Sequence, residues 1–183
     1  ETPLMVQWCW AGSLSVQHRL DSVREFSIGL ARAWQSYDAQ GHPLEISHGF
    51  QRDLLPNLVR DRNSNAAGVK EGEMPWLTAL VCCSAFDVAL HDAYGNLYNL
   101  STYDTYCEPF MNRDLSTYLA AAEGTKIGFH GFFPNDYLKK PPPRRIPAWH
   151  LVGGNDLLRG AERRGEEPDD GYPTVLDDWI EAD

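Results

Sequence analysis

The stretch SAFDVALHDAYGN, residues 84–96, places a carboxylate and an imidazole one helical turn apart, at Asp87 and His91, with Asp92 next in line. On a helix that spacing puts both groups on one face, where they can share a proton or supply two ligands to a metal. A metal needs a third ligand, and no third residue is suggested by the spacing. The pair therefore reads as a hydrogen-bonded structural pair inside a helical core. The four cysteines, Cys9, Cys82, Cys83 and Cys107, contain no C-x-x-C, so a zinc site has no support. Cys82 and Cys83 lie in an apolar run and read as small buried hydrophobes, which suits a reducing, cytoplasmic setting. His42 and His48 flank a predicted helix start and read as capping or surface residues.

The elements that must position these residues follow from periodicity. Ser15 is a predicted N-cap for a helix to about Tyr37, with Val16, Leu20, Val23, Leu30, Trp34 and Tyr37 as its apolar stripe. Pro43 opens a second helix with Ile46, Phe50, Leu54 and Leu58 on one side, and Pro56 kinks or ends it. Pro75 opens a third, Trp76 to Tyr94, apolar on nearly every side and so expected to be central. Its expected core residues are Trp76, Leu80, Cys83, Phe86 and Leu90, with Gly95 as left-handed cap. The proline-rich HGFFPNDYLKKPPPRR reads as a solvated connector, IPAWHLVGG as a buried strand, and the chain from Thr174 as a helix. One strand cannot leave its backbone groups unpaired, so this strand calls for a sheet from elsewhere.

Composition narrows the function classes. With 43% hydrophobic residues the chain is that of a folded protein. A net charge of −10 argues against a nucleic-acid partner, and residues 161–183 alone carry nine acidic and two basic side chains. No run of about 18 apolar residues is evident, so no membrane partner is expected.

The motif around the opening stretch resembles the N-terminal capping domain of the enolase superfamily, nearest the mandelate racemase/muconate lactonising enzyme family. The resemblance rests on an A-x-D-x-A-L-x-D-x-x-G pattern matched by Ala85, Asp87, Ala89, Leu90, Asp92 and Gly95, followed by the exit NLSTYDTY. ETP at the start, IPAWHLVGG and VLDDWIEAD resemble, in order, the turn after the third capping-domain strand, the first barrel strand and the helix leading to the second. It implies an α+β capping domain, mostly helical in this chain, joined to the start of a (β/α) TIM-type barrel. The implied domains are 1–127 (capping), 128–145 (linker) and 146–183 (first strand and helix of the barrel), with sequence missing at both ends.

In that family a proton is abstracted next to a carboxylate and the enediolate is stabilised on Mg²⁺, in racemases or epimerases, dehydratases and cycloisomerases. The bases and Mg²⁺ ligands sit on barrel strands beyond this sequence, so the resemblance assigns this chain neither catalytic residues nor metal ligands. The implied partners are a small carboxylate-containing substrate and, through the intact barrel, further copies of the enzyme. Gln7, Trp8 and Trp10 fall where a substrate-covering loop lies in the family. His150 falls near the mouth of the first barrel strand, the face where such sites collect. These four are the expected substrate-binding residues. The alternative is a stand-alone helical binding or interaction module without catalysis. Exposed apolar surface near 146–152 and on the last helix favours the first reading, and packed surface there favours the second.

Overall fold

A computed structural model describes residues 9–10, 12–65, 72–147, 157–163, 165 and 173–182. They divide into two compact units, 1–138 and 139–183. Among the described residues of the first are the helices α1 (Val16–Ser36), α2 (Pro43–Asp53), α3 (Leu55–Asn65) and α4 (Trp76–Tyr98). Ser15 caps α1, its hydroxyl accepting from the His18 amide. The α1 stripe is rotated from the one expected: Arg19, Val23, Phe26 and Leu30 are buried, while Val16 and Leu20 are exposed. Arg19 turns inward because its guanidinium donates to the Trp10 carbonyl. Pro56 does not kink a continuous helix. The chain breaks at Leu54, so Pro56 sits in the first turn of α3, where a missing amide costs nothing.

The core is an aromatic stack clamped between helices. Trp34 lies face to face on Phe50, with centroids 4.0 Å apart and planes within 7°. Tyr37 meets Phe50 edge-on at 5.3 Å, and Leu30, Leu55, Ala79, Cys82 and Cys83 close around them. α4 packs chiefly on α1, then on α2 and α3.

α4 is less enclosed than its composition suggests. Thr78, Ala79, Cys82, Cys83 and Gly95 are buried, Leu80 and Phe86 are partly so, but Trp76 is 45% exposed and Val88 58%. It is long and apolar enough to cross a membrane by length and composition, unlike the sequence expectation. Gly95 is not its cap either. The helix runs through it to Tyr98, and Asn99 takes the left-handed position with φ of 54°. Glycine is needed at 95 for space, since a Cβ would lie 2.9 Å from Thr102 Oγ1 and 3.0 Å from the Leu100 carbonyl.

The expected α+β capping domain leading into a barrel does not appear: among the described residues there is no strand and no sheet. Between 102 and 137 the chain is irregular apart from three 3-10 turns, Thr102–Thr105, Leu115–Thr117 and Pro134–Tyr137, and side chains bond some of its backbone amides. The Asp114 carboxylate accepts from the Ser116 and Gly131 amides, and Asp136 accepts from the Phe133 amide. Such local bonds compete with sheet formation. Of the expected first barrel strand, Ile146 and Pro147 are irregular, and residues 148–154 lie outside the described residues.

Among the described residues of the second unit an isolated parallel bridge joins Leu157 to Val175, leading into α5 (Leu176–Ala182). Val175 is buried and Ile180 is 66% exposed.

Replacing Phe50 by Ala removes the centre of the stack and should cost ~3–5 kcal/mol in a urea titration. Val88→Ser on the bare side of α4 should stay within about 0.5 kcal/mol. Equal losses would mean that the stack is not the core.

Candidate functional site

Where α2 begins, the described residues gather a dense set of polar contacts. Pro43 presets the first helical φ, and His42 ahead of it acts as N-cap, its Nδ1 accepting from the Leu44 amide at 3.1 Å. Glu45, three residues on, returns a carboxylate oxygen to the His42 amide at 3.0 Å and so completes a capping box. The same carboxylate accepts from the Asn112 amide at 2.6 Å, the Asn112 side chain at 2.8 Å and the Arg113 amide at 2.7 Å. Burial alone would raise the Glu45 pKa, but the bonds from Asn112, His42 and Arg113 outweigh it and hold it below the ordinary carboxylate value. Gly41, with φ of 140°, is required here because a Cβ would approach Glu45 Oε2 to 2.5 Å.

His42 is fully buried. With Nδ1 accepting from an amide, the proton sits on Nε2 and is donated to Thr105 Oγ1 at 3.0 Å; that hydroxyl donates onward to the Thr102 carbonyl at 2.6 Å. Around the ring stand Tyr94 at 5.1 Å, Tyr106 at 5.4 Å and His91 at 6.0 Å. Desolvation, with the nearby His91 adding to it, pushes the His42 pKa down to about 4. His42 is thus a neutral structural hinge pin between α2 and the 102–105 turn, the capping role that the sequence suggested.

The opening pair occupies the neighbouring turn of α4. His91 Nδ1 lies 2.9 Å from the Asp87 carbonyl and 3.5 Å from its carboxylate. The His91 carbonyl accepts from Thr102 Oγ1 at 3.3 Å. Asp92 points elsewhere, accepting from the Asn96 side chain at 3.1 Å. Among the described residues no group of three or more His, Cys, Asp or Glu is arranged to hold a metal. Burial pushes the Cys83 thiol up to about 11 and raises Cys82 as well, so both remain protonated.

Beside the Glu45 node opens a polar cleft of about 430 Å³, lined by Tyr37, Gln40, Glu45, Arg52, Asn112 and Arg113, among others. Gly49, also in its wall, makes room for the Tyr37 hydroxyl, which a Cβ there would meet at 2.7 Å. Arg52 is held by the Asp53 carboxylate through two bonds of 2.7 and 2.8 Å. The geometry can receive a small polar molecule, but Glu45 spends its lone pairs on the fold and offers no general base.

Of the expected substrate-binding residues, Trp10 is 2% exposed in the core. Arg62 stacks over its ring at 5.3 Å, and the neighbouring Cys9 carbonyl accepts from Thr78 Oγ1 at 2.7 Å. Trp10 does not line the cleft. Gln7, Trp8 and His150 lie outside the described residues. The residues that build the cleft were not singled out from sequence. The available signal was the His-Pro-Leu-Glu run at 42–45, an N-cap with proline at the first helical position and glutamate at the third.

Comparison with protein-family models, curated proteins and solved structures yields no match to this chain.

Glu45→Ala should cost about 2 kcal/mol or more, because three backbone amides and one side-chain amide lose a charged acceptor. A chemical denaturation curve that moves by less than half of this would remove Glu45 from its keystone role.

The pH dependence follows from His42. Its folded pKa lies below the unfolded value, so the stabilisation is complete above pH 6.5 and drains away as pH falls toward about 4. The loss by pH 4 should be ~3 kcal/mol. His42→Asn keeps a capping oxygen without a titrating ring, and should flatten the stability profile between pH 6.5 and 4. An unchanged slope in that variant would assign the acid sensitivity to other groups.

Proposed function

We propose that this chain is the substrate-capping part of a Mg²⁺-dependent enzyme of the enolase type, one that abstracts a proton next to a carboxylate. In this reading it acts against a catalytic surface supplied by residues outside this sequence. The observation that carries the proposal is uncovered apolar surface. Leu77, Val88 and Leu97 stand 44%, 58% and 76% exposed along α4, and Ile146 and Ile180 stand 77% and 66% exposed in the second unit. Large apolar side chains left open on several elements are expected of a part that completes its packing against a further surface. The A-x-D-x-A-L-x-D-x-x-G residues support the reading in a second way. The Asp87 carboxylate lies 3.5 Å from the His91 ring and Gly95 leaves room for the exit turn, structural roles that suit a cap.

The division of labour is physically economical. An enediolate develops two negative charges beside a carboxylate and needs a divalent cation and a positioned base. A cap excludes water and fixes the substrate, and neither task requires titrating groups. The cleft beside Glu45 favours the second reading, a helical binding module without catalysis, because it is a formed polar cavity on the first unit.

Two measurements separate them. Calorimetry with Mg²⁺ should show no saturable site on the chain alone, and NMR in deuterated solvent should show no loss of the α-proton of mandelate or other hydroxy acids. When the chain is joined to an enolase-type barrel, exchange should appear, and Leu77→Asp with Val88→Asp, eleven residues apart on one face of α4, should suppress it. A saturable Mg²⁺ site together with α-proton exchange on the chain alone would sink the capping reading. Full exchange in the joined protein carrying both aspartates would show that the apolar face is not used.

A further inference from the structure

The second unit carries two exposed charged segments of opposite sign. Lys139, Lys140, Arg144 and Arg145 crowd into seven residues of a chain whose net charge is −10. All four are exposed, in a stretch with neither helix nor strand, and among the described residues none makes an ion pair or hydrogen bond. Pro141, Pro142 and Pro143 separate the two cation pairs, fix φ near about −65° and remove backbone donors. The strap therefore loses little conformational freedom when it docks. The apolar side chain that follows it, Ile146, is 77% exposed.

α5 is the complementary surface. Asp177 and Glu181 lie one turn apart on one face, both exposed and without an ion pair among the described residues. Ile180 beside them is 66% exposed. Asp178 is different, since it is taken by Arg163 of the same chain.

We infer that two copies of this chain associate through these segments, the strap of each copy gripping α5 of the other. The charge pattern selects this partner. Without the strap's four charges the chain would carry −14 rather than −10. A long polyanion such as a nucleic acid, or an anionic bilayer, would meet that field over the whole molecule. A second copy carries the same net charge, but it meets the strap with a local acidic face and offers its own strap in return, so two attractive contacts oppose the repulsion. Guanidinium groups suit carboxylate recognition because two parallel N–H donors match two oxygens. Reciprocal exchange makes the contact isologous, so one dimer contains two equal arms and closes on itself. Exposed ion pairs are individually weak and screened by salt. The dimer should therefore be salt-sensitive.

The test is sedimentation of the full chain at about 50 and 500 mM NaCl, where the Debye length falls from roughly 14 to 4 Å. A concentration-dependent dimer is expected at the lower salt, with an association constant at least tenfold smaller at the higher. Two variants then exchange the charges: one carries K139E, K140E, R144E and R145E, the other D177K and E181K. Each alone should remain monomeric with wild-type circular dichroism, while an equimolar mixture should form a mixed dimer with both arms complementary. A wild-type chain that is monomeric at low salt, variants that dimerise alone as wild type does, or a mixture that stays monomeric would each overturn the inference. So would strap-dependent binding of single-stranded RNA or phosphatidylserine vesicles by a chain that never dimerises. This outcome does not bear on the capping reading, which is decided by α-proton exchange.

Discussion

The first unit depends on the carboxylate of Glu45. One side chain satisfies amides at His42, Asn112 and Arg113 and the side-chain amide of Asn112. It thereby fixes the start of α2 and the distant 112–113 segment with the same charge. A partly desolvated carboxylate is unfavourable without partners, and here each partner is a donor already pointed at it. Removing the charge would release two elements together, which is why Gly41 must keep its Cβ out of the way.

His42 extends this node toward α4. Its ring reads two elements at once, capping α2 through Nδ1 and holding the 102–105 turn through Nε2. Thr102 carries the connection on to the His91 carbonyl. Within the 84–96 stretch, His91 is tied to this system through its backbone carbonyl and Asp87 lies against the His91 ring, while Asp92 bonds the exposed Asn96 side chain instead. Such a system gives the helices a defined register, because every alternative register leaves a buried donor unpaired.

The apolar packing is organised on a different plan. The Trp34–Phe50 stack concentrates burial where α1, α2 and α4 meet, while α4 presents Leu77, Val88 and Leu97 to solvent. Only one side of this apolar helix is covered by α1, α2 and α3. This explains why composition overstated the centrality of α4. An all-round apolar helix is compatible with burial on every side, but burial needs neighbours to supply it.

Local rules were legible in the residues themselves. Ser15 and Pro43 marked helix starts, the 3.6-residue period located α1, α2 and α4, and the four-residue spacing put Asp87 and His91 side by side. Each depends on groups within about one turn of one another, so the sequence carries the cause and the effect together. Other features needed distant partners. Arg19 displaced Leu20 from the core because the Trp10 carbonyl was within its reach. Gly95 was kept for its lack of a side chain beside Thr102, a contact seven residues away. Residues 102–137 hold three short 3-10 turns, tied through the Asp114 and Asp136 carboxylates to backbone amides as far as seventeen residues away. Tertiary structure decided these points because hydrogen-bond satisfaction and steric space are properties of pairs, and the pairs are set only when the chain has folded.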